Sequence, residues 1–163
     1  MSIAVRIAIK QSSILEALVA LSMDKDDKAA VLDEIGINLV ENTRLRFSDQ
    51  VTPEGEAWVQ SLRAINQGGD TGRDTGRLLN SINHFVSGNS VEVGTNVAYA
   101  MPFHFGAHIE AKNSPWLKFQ VPGGGWAQKA SVDIPARPFL GISDEDEETV
   151  LDIISGFLGT RAP

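Results

Sequence analysis

Cysteine is absent from the 163 residues, which excludes a disulfide framework, a thiolate metal site and a cysteine nucleophile. The same absence fits a cytoplasmic history. Positive charge is scarce: 14 Lys plus Arg stand against 21 Asp plus Glu, a net charge of -7. The summed field repels phosphate backbones and anionic membrane surfaces, which argues against a stand-alone nucleic-acid binder. Long apolar runs are also missing. The longest, near residues 14–21, contains Glu16, whereas a membrane-spanning helix needs about 20 apolar residues. No basic start, apolar core and small-residue cleavage site mark a secretory signal. The expectation is a soluble chain not exported by that route.

What is present suits a globular domain. Hydrophobic residues make up 42%, charged residues 21%, and there are 15 Gly and 7 Pro, so chain-wide disorder and a collagen-like repeat are excluded. A chain of this length buries about 70% of its extended surface around one core. One domain over residues 1–163 is expected.

Ile3, Val5, Ile7 and Ile9 alternate with Ala4, Arg6, Ala8 and Lys10, the period of a strand with one buried face. After the break at Gln11, Ser12 and Ser13, the residues Ile14, Leu15, Leu18 and Leu21 recur at helical spacing. Asp24, Asp26 and Asp27 sit where a second helix begins, and Val31, Leu32, Ile35, Leu39, Thr43 and Phe47 mark one face of it over about five turns. Asp33, Glu41, Arg44 and Arg46 read as its solvated face.

Pro53 and Gly55 have turn placement. Residues 60–73, with Gln67-Gly68-Gly69-Asp70 at their polar centre, read as a mobile loop. A helical turn near Asp74 or Thr75 carries Leu78, Leu79 and Ile82, and a hairpin follows from Phe85 and Val86 through Gly88-Asn89 to Val91, Val93 and Val97. Leu117, Phe119 and Val121 alternate, Pro122-Gly123-Gly124-Gly125 turns the chain, and Trp126, Ala130 and Val132 return. This predicts a second hairpin, preceded by a mobile loop over 107–115. Two readings of this hairpin stand: an arm that reaches a neighbour through Trp116, Phe119 and Trp126, or a hairpin packed on its own sheet. Residues 134–138 are extended, because a residue before proline avoids helical geometry. Ser143 caps a last helix that opens with the acids Asp144, Glu145, Asp146, Glu147 and Glu148 and continues through Val150, Leu151, Ile154, Phe157 and Leu158. The fold class is α+β: a small antiparallel sheet with hairpins packed against N-terminal and C-terminal amphipathic helices.

Asp-Thr-Gly occurs at Asp70-Thr71-Gly72 and again at Asp74-Thr75-Gly76, the triplet that dimeric aspartic proteases use to share one proton between two carboxylates. Neither copy ends an apolar strand, and both precede Arg. The structural alternative is that Asp or Thr caps a helix while Gly72 allows a close approach. His104 and His108 stand four apart, as two helical zinc ligands do. Gly106 interrupts them and His84 is the only other histidine, so His104 reads as a packed, hydrogen-bonded residue. No Gly-x-Ser-x-Gly elbow is present, and no Lys-Ser or Lys-Thr follows Gly123-Gly124-Gly125. No catalytic residue, metal ligand or cofactor is assigned.

An ordered series of motifs carries a resemblance. It runs from Gly36, Thr43, Arg46 and Phe47 to Pro53-Glu54-Gly55 with Trp58, then Asp74-Thr75-Gly76-Arg77-Leu78 through Ser81-Ile82. It continues with Val91-Glu92-Val93-Gly94-Thr95-Asn96, Tyr99-Ala100, His104-Phe105-Gly106 and Ile134-Pro135-Ala136-Arg137-Pro138-Phe139-Leu140-Gly141. In these residues the chain resembles the phage virion morphogenesis family of Mu-like phages and prophages, the tail completion or neck proteins. It departs from the family's longer, more basic stretch before Asp-Thr-Gly-Arg. The resemblance implies a structural virion component at the head-tail junction, a homo-oligomeric ring, and other junction and tail proteins as partners. Neither sequence-specific nucleic acid nor membrane is implied. Arg77 and Arg137 stand in recurring runs and, with Trp116, Phe119 and Trp126, are the candidate partner contacts. A monomeric adaptor binding one phage or host protein and a hydrolase are the alternative readings.

Overall fold

The computed structural model describes residues 25–159. The strand expected from Ile3 to Ile9 and the helix expected over Ile14 to Leu21 lie outside them.

Helix α1, Lys25–Asp49, is the spine. Val31, Ile35, Leu39, Val40 and Phe47 are buried along it, and the acids Asp26 and Asp27 in its first turn complement the helix dipole. Gln50 ends it with a left-handed φ of 59°. The turn that follows is closed by the Gly55 N–H donating to the Thr52 carbonyl at 2.9 Å, with Pro53 second in it as its fixed φ requires.

Helix α2, Leu62–Gln67, stands where the sequence predicts an irregular loop. Ser61 caps it by accepting from the Ala64 N–H, a local signal that outweighs the missing apolar period because capping needs no buried face. Helix α3, Arg77–Asn80, carries the buried Leu78. Strands β1, Asn83–Ser87, and β2, Ser90–Gly94, form the predicted first hairpin. Helix α4, Ala100–Phe105, leads into β3, Ala107–Glu110. The expected loop over 107–115 is therefore partly strand, because β3 pairs with β6, Ser131–Ile134.

Strands β4, Leu117–Gln120, and β5, Trp126–Lys129, form the second predicted hairpin. The return strand is shorter than expected: Val132 belongs to β6 and pairs with Ile109. The described strands thus make three separate two-stranded antiparallel sheets. Helix α5, Asp144–Gly159, closes the fold.

Helix α1 packs against β1 and β2 and against α5. A Cβ at Gly36 would lie 2.4 Å from the His84 ring and 2.9 Å from Val91, so only glycine lets helix and hairpin meet there. Phe47, fully buried, centres an aromatic cluster with ring centroids 5.1 Å from Trp58, 5.3 Å from Phe139 and 6.1 Å from Phe103. Leu78, Ile82, Val93, Val150 and Ile154 complete the core from the other elements.

Candidate functional site

The run 134–141 enters the core between α1 and α4. The Arg137 N–H donates to the last carbonyls of α4, Phe103 at 3.0 Å and His104 at 3.2 Å, which satisfies acceptors a helix end leaves open. Gly106 permits this crossing. Its φ is +75°, and a Cβ would sit 2.8 Å from the Ile134 carbonyl oxygen.

His104 is buried, and its Nδ1 accepts from the Phe139 N–H at 3.2 Å. An accepting Nδ1 requires the neutral ring with its proton on Nε2. Burial lowers its pKa against the opposing pull of Glu54. His108 lies on β3, exposed, with Nδ1 2.5 Å from Asp133 and Nε2 3.2 Å from Glu110. Hydrogen bonding to Asp133 first, then to Glu110, raises its pKa. The two histidines occupy opposite environments and share no face. No cluster of three or more potential metal ligands occurs among the described residues.

Arg46, expected on the solvated face of α1, is buried instead. Its guanidinium meets Asp146 and donates to the carbonyls of Phe139 at 3.2 Å and Gly141 at 3.0 Å. The partner is one of the five acids read as complementing the α5 dipole. Asp146 accepts from Asn42 Nδ2 at 2.7 Å and from the Ser143 N–H at 2.8 Å, while its own N–H donates to Ser143 Oγ at 3.1 Å. Ser143 is thus the predicted cap, in a reciprocal arrangement. Arg44 also leaves the solvated face in part, donating to the Ile82 carbonyl at 3.1 Å.

The two Asp-Thr-Gly copies do different work. Thr71 is buried, its N–H donates to Gln50 Oε1 at 2.7 Å, and its Oγ1 accepts from the Ser61 N–H at 3.0 Å. Gly72 allows the close approach expected of it: a Cβ would lie 2.6 Å from the Phe103 ring. In the second copy, the expected cap at Asp74 is absent. Gly76, in the left-handed region, is the N-cap of α3, and Thr75 Oγ1 accepts from the Arg77 N–H at 3.4 Å. Asp74 is exposed and lies 4.0 Å from Arg63, while Asp70 lies 3.3 Å from Arg73. Each carboxylate faces a different arginine.

These elements enclose a cleft of about 500 Å³ lined by Arg63, Arg73, Arg77 and Arg137 together with Tyr99 and Phe103. Arg137 is 5% exposed, donates from Nε to the Val59 carbonyl at 2.7 Å, and lies 5.5 Å from the centre of the Phe103 ring. Burial lowers its pKa. Arg77 is exposed. Among the described residues, neither Arg77 nor Arg137 meets a carboxylate. Sequence reasoning singled out these two and missed Arg63 and Arg73. The Arg that follows each Asp-Thr-Gly copy was the available signal for Arg73.

Trp116 and Trp126 are 50% and 75% exposed and Phe119 is half-buried, all on or beside the β4–β5 ribbon, which pairs with no further described strand. Asn66 in α2 donates to the Pro122 carbonyl at the ribbon tip at 3.0 Å.

The model of the phage virion morphogenesis family matches residues 9–159. No curated protein and no solved structure matches the chain. Gly36, Gly106 and the 134–141 run, which carry the resemblance in sequence, set close crossings of the fold. The chain belongs to the phage virion morphogenesis family.

Proposed function

We propose that this chain, a structural phage-assembly protein by its family, acts at the head-tail junction as a tail-completion or neck component that joins heads to tails. It works as a homo-oligomeric ring and by association, without catalysis. The family match over nearly the whole chain carries this reading. Two surface features support it. The β4–β5 ribbon presents Trp116 and Trp126 to solvent, and large aromatics at such positions are typical anchors of protein interfaces. The arginine cleft offers planar, multidentate donors suited to carboxylates on a neighbouring protein.

Negative-stain imaging of particles produced without this chain tests the junction role. Filled heads beside separate tails are expected. Joined particles at the normal yield would overturn the proposal.

A further inference from the structure

We infer that the arginine cleft docks the acidic start of α5 from a second copy of this chain. The inference rests on the ring reading above and supplies the contact it lacks.

Four of the 14 basic residues line this one cleft; Asp74 faces Arg63 and Asp70 faces Arg73, which leaves Arg77 and Arg137 without a carboxylate among the described residues. In a chain of net charge -7, that is a concentrated exception to the overall field. Arg137 sharpens it. The side chain is 5% exposed, and its Nε and Nη1 are committed to the carbonyls of Val59 and Pro135. Neutral carbonyls orient a guanidinium without cancelling its charge, and a buried cation left uncompensated is costly. An incoming carboxylate supplies the missing charge.

The complementary surface is on the same chain. A second cleft, also about 500 Å³, is lined by Asp49, Glu54, Asp144 and Glu145, all exposed. Arg46 in its wall is already neutralised by Asp146. The two clefts have no lining residue in common. Two different, complementary patches on one chain specify a head-to-tail contact, which closes into a ring when the rotation between copies allows. A nucleic-acid occupant is disfavoured because the net negative field repels it at a distance.

Charge exchange on the full-length chain, followed by analytical ultracentrifugation, tests the contact. One variant carries Arg73→Glu with Arg77→Glu, and the other carries Asp144→Arg with Glu145→Arg. The unmodified chain is expected to self-associate at low salt and to weaken as salt is added. Each variant alone is expected to associate at least about tenfold more weakly, and an equimolar mixture of the two should recover association. If either variant misfolds by circular dichroism, Arg73→Gln with Arg77→Gln and Glu54→Lys take their places, and each of these single-sided changes should weaken association. A monomeric unmodified chain at low salt, undiminished association of a single variant, or a mixture that fails to recover would each overturn the inference. So would binding of inorganic phosphate or duplex DNA, abolished by the arginine changes, in a chain that does not self-associate. Particle imaging separates this inference from the junction reading. Joined particles without the chain, alongside successful charge exchange, would remove the junction role and keep the contact.

Discussion

Asp146 has one side-chain oxygen facing Arg46 and the Ser143 N–H and the other facing Asn42. Burial alone would raise its pKa, yet the Ser143 N–H, Asn42, Arg46 and the Ser143 hydroxyl together hold it below the ordinary value of 3.8. Arg46→Ala strands this carboxylate and leaves two carbonyls without a donor. The expected loss, measured by urea unfolding, is about 3–5 kcal/mol, the range for removing one member of a buried pair. Stability should also depend on pH in two windows. His104 has a folded pKa below its unfolded 6.5, so stability is full above 6.5 and declines below it, as the unfolded chain takes a proton that the folded chain refuses. Asp146 has a folded pKa below 3.8, so its contribution persists above that value and is lost as pH falls through the folded pKa. His104→Gln should remove only the His104 decline in melts from pH 7 to 3, leaving the opposite dependence from His108, whose raised pKa adds stability as pH falls. The burial of Arg46 was legible in principle, since Leu39, Thr43 and Arg46 follow at four- and three-residue steps along one face. Its charge suggested solvent, and the partner lies 100 residues away.

The elements divide by how local their causes are. Both hairpins and α5 follow from alternation, glycine turns and an N-cap within a few residues, and they form at those turns and that cap, although the second return strand stops at Lys129. The pairing of β3 with β6 has no such local mark, since Ala107 pairs with Ile134 across the whole β4–β5 ribbon. Helix α2 was obscured because none of its residues is buried. These differences predict an exchange pattern. Amides of β3 bonded to β6 should exchange slowly, as should Thr71 with its N–H on Gln50, while residues 112–116 between β3 and β4 should exchange fast. Hydrogen exchange with fragment-resolved mass spectrometry reads this directly, and uniform exchange across 107–116 would contradict it.

For the molecule as a whole, the exposed tryptophans and the exposed Arg73 and Arg77 of the cleft are surface features that the core does not require. Trp126 is 75% exposed, so Trp126→Ser should change folding stability by less than about 0.5 kcal/mol while lowering the yield of joined particles. Equal losses of melting temperature and yield would instead place the tryptophan in the fold. What the sequence by itself determined was the α+β class, the hairpins, the long and the acidic helices, and the family, because period, turn chemistry and ordered motifs are properties of neighbouring residues. Only the tertiary structure decided that Arg46 meets Asp146, that β3 finds β6, and that four arginines from separate segments converge while Asp74 caps nothing. Those outcomes depend on which distant segments pack together, and the pattern of a single segment does not name its partner.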